Sequence, residues 1–546
     1  MSVSPSTTDS LVLSSSSRGA REHCLQNLDL LEEIIQHIGG GSSAKINDLR
    51  RDRHSLLQVA LTCRALSPSA TKFLWRSLGN LLPLLQLLPS FTERNGTYYL
   101  LGAITPPEWD KFDYYAAYVQ EIRDESFPDD AKVEPSVYLQ LAIRKAPILP
   151  NLRRIKYMSA SGCSPYQVLL YALSPLREVE MRGAPDSEAG FDTATMGEVI
   201  FTALGSANSR ITTLVLTGQL YTILSDHITL DRLESLTLED MKGTIDTSVV
   251  RWIGSIPTLL SLTLRIREQD SWDQKFLSSR GLFKALLHLQ LEGRTDPNSG
   301  RLFLRLISSE ILQTLKMHPA WLRPDASKEI VYIQRVIAQW SKSLCDLELS
   351  LSGATMSRGD QIDLKGLFGH LHRLRHLNFL LIAQIPDAGE LLSSLYSLPH
   401  LETLELSITF PAGLGMDLVT QLAQHCPKLQ FLQIPLAITQ LSLFSTTPVS
   451  EHNLKTLVIF PTPDPLLNDQ PSSLVDVVNV ARHLDRLFPR LTAVRYYLPE
   501  RFGSQENETW ENVQELVFAF QDVRRCTKIQ QTGVDMHRRT ASLVSE

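Results

Sequence analysis

Four groups of residues in this chain have types that could support chemistry, and each lacks what its chemistry needs. Gly39-Gly40-Gly41-Ser42-Ser43-Ala44-Lys45 places glycines ahead of a lysine, as a phosphate-cradling loop does. Such a loop also needs Gly directly before the Lys and a strand before the glycines; with neither, the stretch reads as a linker. His370, His372 and His376 are close in sequence, but they straddle a helix end and a strand, with no carboxylate or Cys at ligand spacing. Cys63 has no predictable base beside it and reads as a packed thiol. Arg538-Arg539-Thr540-Ala541-Ser542 has the basic-then-hydroxyl order that a basophilic kinase reads, in a short basic tail where such matches arise by chance. No catalytic residue, metal ligand or cofactor is therefore assigned, and an enzyme is not expected.

Binding surfaces are what remain, and composition narrows their partners. The 546 residues are 43% hydrophobic and 21% charged, with a net charge of −6. No basic excess argues for nucleic acid and no polybasic run for a membrane surface. The longest apolar run, near Leu81–Leu88, is broken by Pro83, Gln86 and Pro89, far short of the roughly 20 residues that span a bilayer. The Ser/Thr-rich opening lacks a signal-peptide core. Six scattered cysteines without a C-x-x-C pair read as reduced thiols, so an intracellular protein, cytoplasmic or nuclear, is expected.

Those surfaces must be carried by a repeating scaffold. His400–Ser407 places Leu401, Leu404 and Leu406 in the L-x-x-L-x-L order of a leucine-rich-repeat strand. Its side chains alternate between faces, so Leu404 and Leu406 point one way and Thr403, Glu405 and Ser407 the other. About thirteen copies follow one another, from Leu152, Ile155, Tyr157 to Leu491, Val494, Tyr496, at a mean spacing of about 28 residues. Helix-patterned segments lie between them at Tyr166–Leu173, Val249–Ile253, Val331–Trp340, Leu391–Leu398, Leu418–His425 and Leu474–Leu487. The expected fold class is α/β: a small N-terminal helical segment, then a curved solenoid with parallel strands concave and helices convex.

The expected divisions are a disordered tail over 1–24, helices over 25–78, a helical and irregular bridge over 79–150, and repeats over 151–500. A capping helix over 501–525 follows, with Trp510, Val513, Leu516, Val517, Phe520 and Val523 on one face, then a loose tail over 526–546. In the 25–78 segment, Leu28, Leu31, Ile34, Ile35 and Ile38 form an apolar stripe on a helix that Asn27 can cap. A polar loop is expected to run to about His54, then a second helix carrying Leu57 and Leu61, then the run Lys72–Leu78 with Phe73 and Trp75. About 50 residues would struggle to bury all these side chains, and apolar surface left over invites a partner.

Three pieces of this segment together resemble an F-box: Ile34-Ile35-Gln36-His37-Ile38, Ala60-Leu61-Thr62-Cys63-Arg64 and Phe73-Leu74-Trp75-Arg76-Ser77-Leu78. Pro107–Ala116 and Leu149–Arg153 are similar to the bridge into the repeats of F-box proteins from mushroom-type fungi. The resemblance implies the exchangeable receptor of a cullin–RING ubiquitin ligase of the Skp–cullin–F-box type. Leu28, Leu31, Ile34, Ile35, Ile38, Leu57, Leu61, Phe73 and Trp75 would hold a Skp-family adaptor and, through it, a cullin. Ile35 and Trp75 are the leading single candidates. The alternative is a repeat scaffold that uses the same segment for another helical partner, outside ubiquitination.

The outward strand positions vary along the chain. Arg154, Lys156, Glu178, Glu180 and Arg182 come first, then small hydroxyls such as Thr213, Ser235, Thr237, Ser261 and Thr263. Late repeats offer Leu380, Phe431, Val458, Phe460 and Tyr497, edged by Glu405 and Arg495. Large apolar residues on a solvent-facing strand face are expected to hold a target protein. The competing expectation is that residues 498–523 fold over them.

Overall fold

The computed structural model describes residues 27–39, 46–62, 64–123, 132–144, 147–158, 170–182, 210–217, 230–239, 245–266, 281–293, 303–319, 326–351, 364–384, 388–409, 415–436, 451–460, 474–496 and 505–544. They fall into two compact units, Met1–Leu233 and Glu234–Glu546.

The first unit opens with three helices, α1 (Leu28–Gly39), α2 (Ile46–Thr62) and α3 (Ser67–Arg76). Asn27 Oδ1 accepts the Leu30 backbone N–H at 3.2 Å, filling one of the donors that a helix start leaves open. The helix α2 begins at Ile46, which corrects the loop expected up to His54: Asp48-Leu49-Arg50-Arg51-Asp52-Arg53-His54 contains no Gly or Pro to oppose a helix. Pro68 stands in the first turn of α3, where its missing N–H costs nothing. Ile35, Leu56 and Ala70, one from each helix, form the core, with Ile38, Val59, Ala60, Phe73 and Leu74 packed around it.

The segment expected as a helical and irregular bridge has more regular structure than its periodicity indicated. Strand β1 (Ser77–Leu78) leads to a hairpin of β2 (Phe91–Arg94) and β3 (Thr97–Leu100), then α4 (Pro106–Ala116), β4 (Glu121–Arg123) and β5 (Lys132–Val133), which pairs with β3. The hairpin turns through Asn95 and Gly96, both at positive φ, as a tight turn matching strand twist requires. Glu108 accepts the Thr105 N–H at 2.6 Å to start α4. Arg144 then grips Asp113 through two bonds of 2.5 Å and lies 4.5 Å over the Trp109 ring.

Both units are built on parallel ladders. In the first, the described strands run β1–β4–β6–β7–β8, with β6 at Arg154–Met158, β7 at Glu178–Arg182 and β8 at Thr213–Thr217. Leu78, Ile122, Ile155, Val179 and Leu214 occupy matching positions and are all buried. In the second unit the strands run in chain order. They are β9 (Ser235–Glu239), β10 (Ser261–Arg265), β11 (His288–Gly293), β12 (Thr314–Pro319), β13 (Asp346–Leu351), β14 (His376–Gln384), β15 (Thr403–Thr409), β16 (Phe431–Pro435), β17 (Thr456–Phe460) and β18 (Ala493–Tyr496). Leu236, Leu262, Leu289, Leu315, Leu347, Leu377, Leu404, Leu432, Leu457 and Val494 align in one buried row. From Leu152 onward the second and third residues of each triplet thus fall on a strand of this parallel α/β ladder, and the first is buried just before it.

The helices between strands close the core behind that row. Those expected near Val249, Val331, Leu391, Leu418 and Leu474 are observed, and a short helix at Leu364–Phe368 was not foreseen. Half of Tyr166–Leu173 lies outside the described residues, and the described half is helical at 170–172. Polar groups that this packing buries find partners between repeats. Trp340 Nε1 donates to the Ser309 carbonyl at 2.7 Å, Ser309 Oγ donates to the Leu286 carbonyl at 2.6 Å, and His452 Nε2 lies 2.8 Å from the Cys426 carbonyl.

The last helix, α5 (Gln505–Val544), packs on β18 and on α6 (Leu474–Leu487). Trp510, Val513 and Val517 are buried, and Trp510 stacks on Tyr496 at 6.0 Å. Gln514 accepts the Val494 N–H of the last strand at 2.8 Å, which covers an otherwise open edge group. Two expectations change here. The helix continues past Cys526; 526–544 contains no proline to stop it, and Gly533 is carried within it. Val523, expected on the packed face, is exposed, whereas Gln521 is buried and donates to the Leu491 carbonyl at 3.0 Å.

Candidate interaction surfaces

The nine residues proposed to hold an adaptor separate into two sets. Leu31 and Ile35 are buried at 1% and 0% exposure, one turn apart on α1. Ile38 and Phe73 pack against the same core. Trp75 is half-buried and stacks against Tyr115 with ring centroids 4.7 Å apart. Of the two leading docking candidates from sequence, Ile35 is therefore a core residue, while Trp75 keeps part of its surface exposed. The Leu28 side chain lies outside the described set.

Ile34, Leu57 and Leu61 face outward, at 41%, 42% and 73% exposure. Leu30, which sequence reasoning missed, joins them at 37%. Leu30 and Ile34 are four residues apart on α1, and Leu57 and Leu61 four apart on α2, so each pair shares one helix face. Lys72 bonds Glu32 at 2.7 Å and fastens α3 to α1. A small, internally packed helical segment thus holds two leucine-type pairs in water.

On the second unit, the outward strand positions also form rows. One runs Ser261, His288, Thr314, Asp346, His376, Thr403, Phe431, Thr456. Within it the His288 ring lies 3.0 Å from Thr314 Oγ1, Thr314 donates to Asp346 at 3.1 Å, and His376 lies 3.6 Å from Asp346. The next row runs Thr263, Gln290, Lys316, Glu348, Asn378, Glu405, Gln433, Val458, Arg495. Here Lys316 bonds Glu348 at 3.0 Å, and Asn378 donates to Glu348 at 3.2 Å. Burial, and then the nearby Glu348 charge, push the Glu405 carboxyl above its ordinary range; Lys316 opposes them in part.

The proposed apolar patch takes a different form from the one expected. Phe431 and Phe460 are half-buried, and Val458 between them is only 8% exposed. Register sets Val458 diagonally across from Phe431 on β17, with Phe460 two residues further along that strand and Gln433 alongside. Leu380 is cut off from them by Ser407 on β15. Arg495 is exposed at the far strand, and Tyr497 lies outside the described residues.

The chemistry-bearing groups stay apart. His370 and His372 are exposed, and His372 lies 3.2 Å from the Ser397 carbonyl, away from the His376–Asp346 contact. Among the described residues no group of three His, Cys, Asp or Glu side chains could hold a metal. Cys345, Cys426 and Cys526 are free thiols, and burial pushes Cys426 up to about 11. Residues 40–45 and Cys63 lie outside the described set. Among the described residues no helix is long and apolar enough to cross a membrane.

No family model matches the chain, and no curated protein matches it. Among solved structures it is similar to an internalin from Listeria monocytogenes, at a TM-score of 0.37 and 14% identity. That likeness covers 78% of this chain and 96% of the internalin.

Proposed function

We propose that this chain is a non-catalytic receptor whose helical segment docks a Skp-family adaptor and whose strand rows hold a target protein. In that role it would join a target to a cullin–RING ubiquitin ligase and raise the chance of contact between target lysines and the ubiquitin carrier. The observation that carries the reading is the outward placement of Leu30, Ile34, Leu57 and Leu61 on helices that already possess a core. Large apolar side chains held in water on two packed helices favour burial by a partner helix or groove. The F-box-like order of Ile34–Ile38, Ala60–Arg64 and Phe73–Leu78 supports an adaptor of the Skp class.

Co-purification of the full chain with a Skp-family adaptor tests the assignment. Wild type is expected to retain the adaptor, and Leu57→Ala/Leu61→Ala to release it while staying folded. Failure of the folded wild type to bind would remove the ligase role. It would leave the alternative, a repeat scaffold with a different helical partner.

A further inference from the structure

Glu405 sits in a setting that suits a carboxylate poorly. It is half-buried on the outward face of β15, and among the described residues it makes no hydrogen bond or ion pair. Its neighbours in register are the neutral amides of Asn378 and Gln433. The nearby ammonium, Lys316, is already bonded to Glu348 at 3.0 Å. Taking a charge partly out of water without a counter-charge is unfavourable, and the raised protonation range of Glu405 is the same penalty seen another way.

The surroundings state what would relieve it. Phe431 lies diagonally across from Glu405 on the adjoining strand, and Val458 lies one strand further. Phe431, half-buried, offers apolar surface beside the carboxylate, with the buried Val458 behind it. A long cationic side chain matches this pairing, with its methylene stem along the ring and its charge on the carboxylate. Arg495, exposed on β18, lies two strands beyond Gln433 in the same row.

Building on the proposed target-holding role of these strands, we infer that the bound target segment presents an arginine or lysine, seated against Phe431 with its cation on Glu405. A neutral or acidic residue in that place leaves the carboxylate unpaired or repelled.

The test uses the full chain and short fluorescein-labelled peptide mixtures, alike except for a central residue fixed as Arg, Lys, Gln or Glu. Fluorescence polarisation is expected to show the Arg and Lys mixtures binding about tenfold or more tightly than the Gln mixture, with the gap narrowing as salt rises. Glu405→Gln removes the gap while keeping the weaker binding of the Gln mixture and an unchanged melting transition. Phe431→Ser weakens all four mixtures. The inference is overturned if no mixture binds, if charge at the central position makes no difference, or if the preference survives in folded Glu405→Gln. Adaptor co-purification is scored separately, so a charge preference without adaptor binding sinks the ligase reading alone.

Discussion

Leu57 and Leu61 offer the sharpest division between a folding role and a binding role. Fully burying an exposed leucine contributes about 1.5–3 kcal/mol. Leu61 keeps 73% of its surface in water and Leu57 keeps 42%, so a partner that covers both gains that share of each. Together this is about 2–3 kcal/mol, or roughly 30- to 150-fold in Kd. Leu57→Ala/Leu61→Ala should therefore weaken adaptor binding by that factor in titration calorimetry. Its folding stability should fall by only about 1–2 kcal/mol, because the share of the two side chains already covered within the fold is the smaller part and alanine favours a helix. Ile35→Ala is the opposite control: it empties a fully buried site, costs about 2–5 kcal/mol of stability, and lowers the melting temperature before it touches any interface. If the double variant binds the adaptor as wild type does, or if it unfolds as Ile35→Ala does, the separation of the two faces is wrong.

Three further outcomes follow from the second unit. Leu404→Ala opens a cavity in the buried row between Leu377 and Leu432 and should cost about 2–5 kcal/mol, read from the urea midpoint. Arg524 pairs with buried Asp485 across α5 and α6; Arg524→Ala should cost about 2 kcal/mol, less than for a fully buried pair because the arginine is 26% exposed, and should raise hydrogen exchange in α5 selectively. Burial lowers His483 to about 4 and moves His452 in the same direction, so both stay neutral in the fold while the unfolded chain takes up protons near its ordinary histidine range. Their stabilisation is complete above about pH 6.5 and falls as pH drops toward about 4, by up to roughly 1.4 kcal/mol per unit for His483; His483→Gln should flatten the pH dependence of the urea midpoint, leaving the smaller part due to His452.

Thirteen leucine triplets are legible in the sequence because a core row tolerates only apolar side chains, and the alternation of a strand writes that demand into the chain with period two. The adaptor stripe was read less well, for a reason of geometry. Leu30, Leu31, Ile34 and Ile35 lie on two adjoining faces only about 100° apart, and periodicity merges them into one. Which face becomes core is decided by where α2 and α3 pack, through Leu56 and Ala70, and that contact is not written in α1. The same holds for Glu405. Its outward position follows from Leu404 and Leu406, but its lack of a counter-charge depends on Asn378, Gln433 and the Lys316–Glu348 pair, which arrive from four other repeats. The Tyr496–Trp510 stack and the Gln514 edge bond join residues that no repeat predicts, so the continuation of α5 past Cys526 had no sequence signal beyond the absence of a breaker.

Near-uniformity in the core row has a consequence for the outward rows. From β9 to β18 the inward position is leucine at each strand until Val494, so the backbone spacing between repeats is held nearly constant. Nine spacings of about 4.8 Å carry one outward row across roughly 43 Å of strands. Along it the chemistry changes from Thr237 and Thr263, through Lys316, Glu348 and Glu405, to Val458 and Arg495. Outward side chains can vary without disturbing the leucines behind them, since neighbouring positions on a strand face opposite ways. In the proposed target-holding role, recognition on this unit is set by the order of side chains along a fixed row. Substituting one outward residue should shift partner preference at that point and leave the fold intact, whereas substituting one inward leucine should do the reverse.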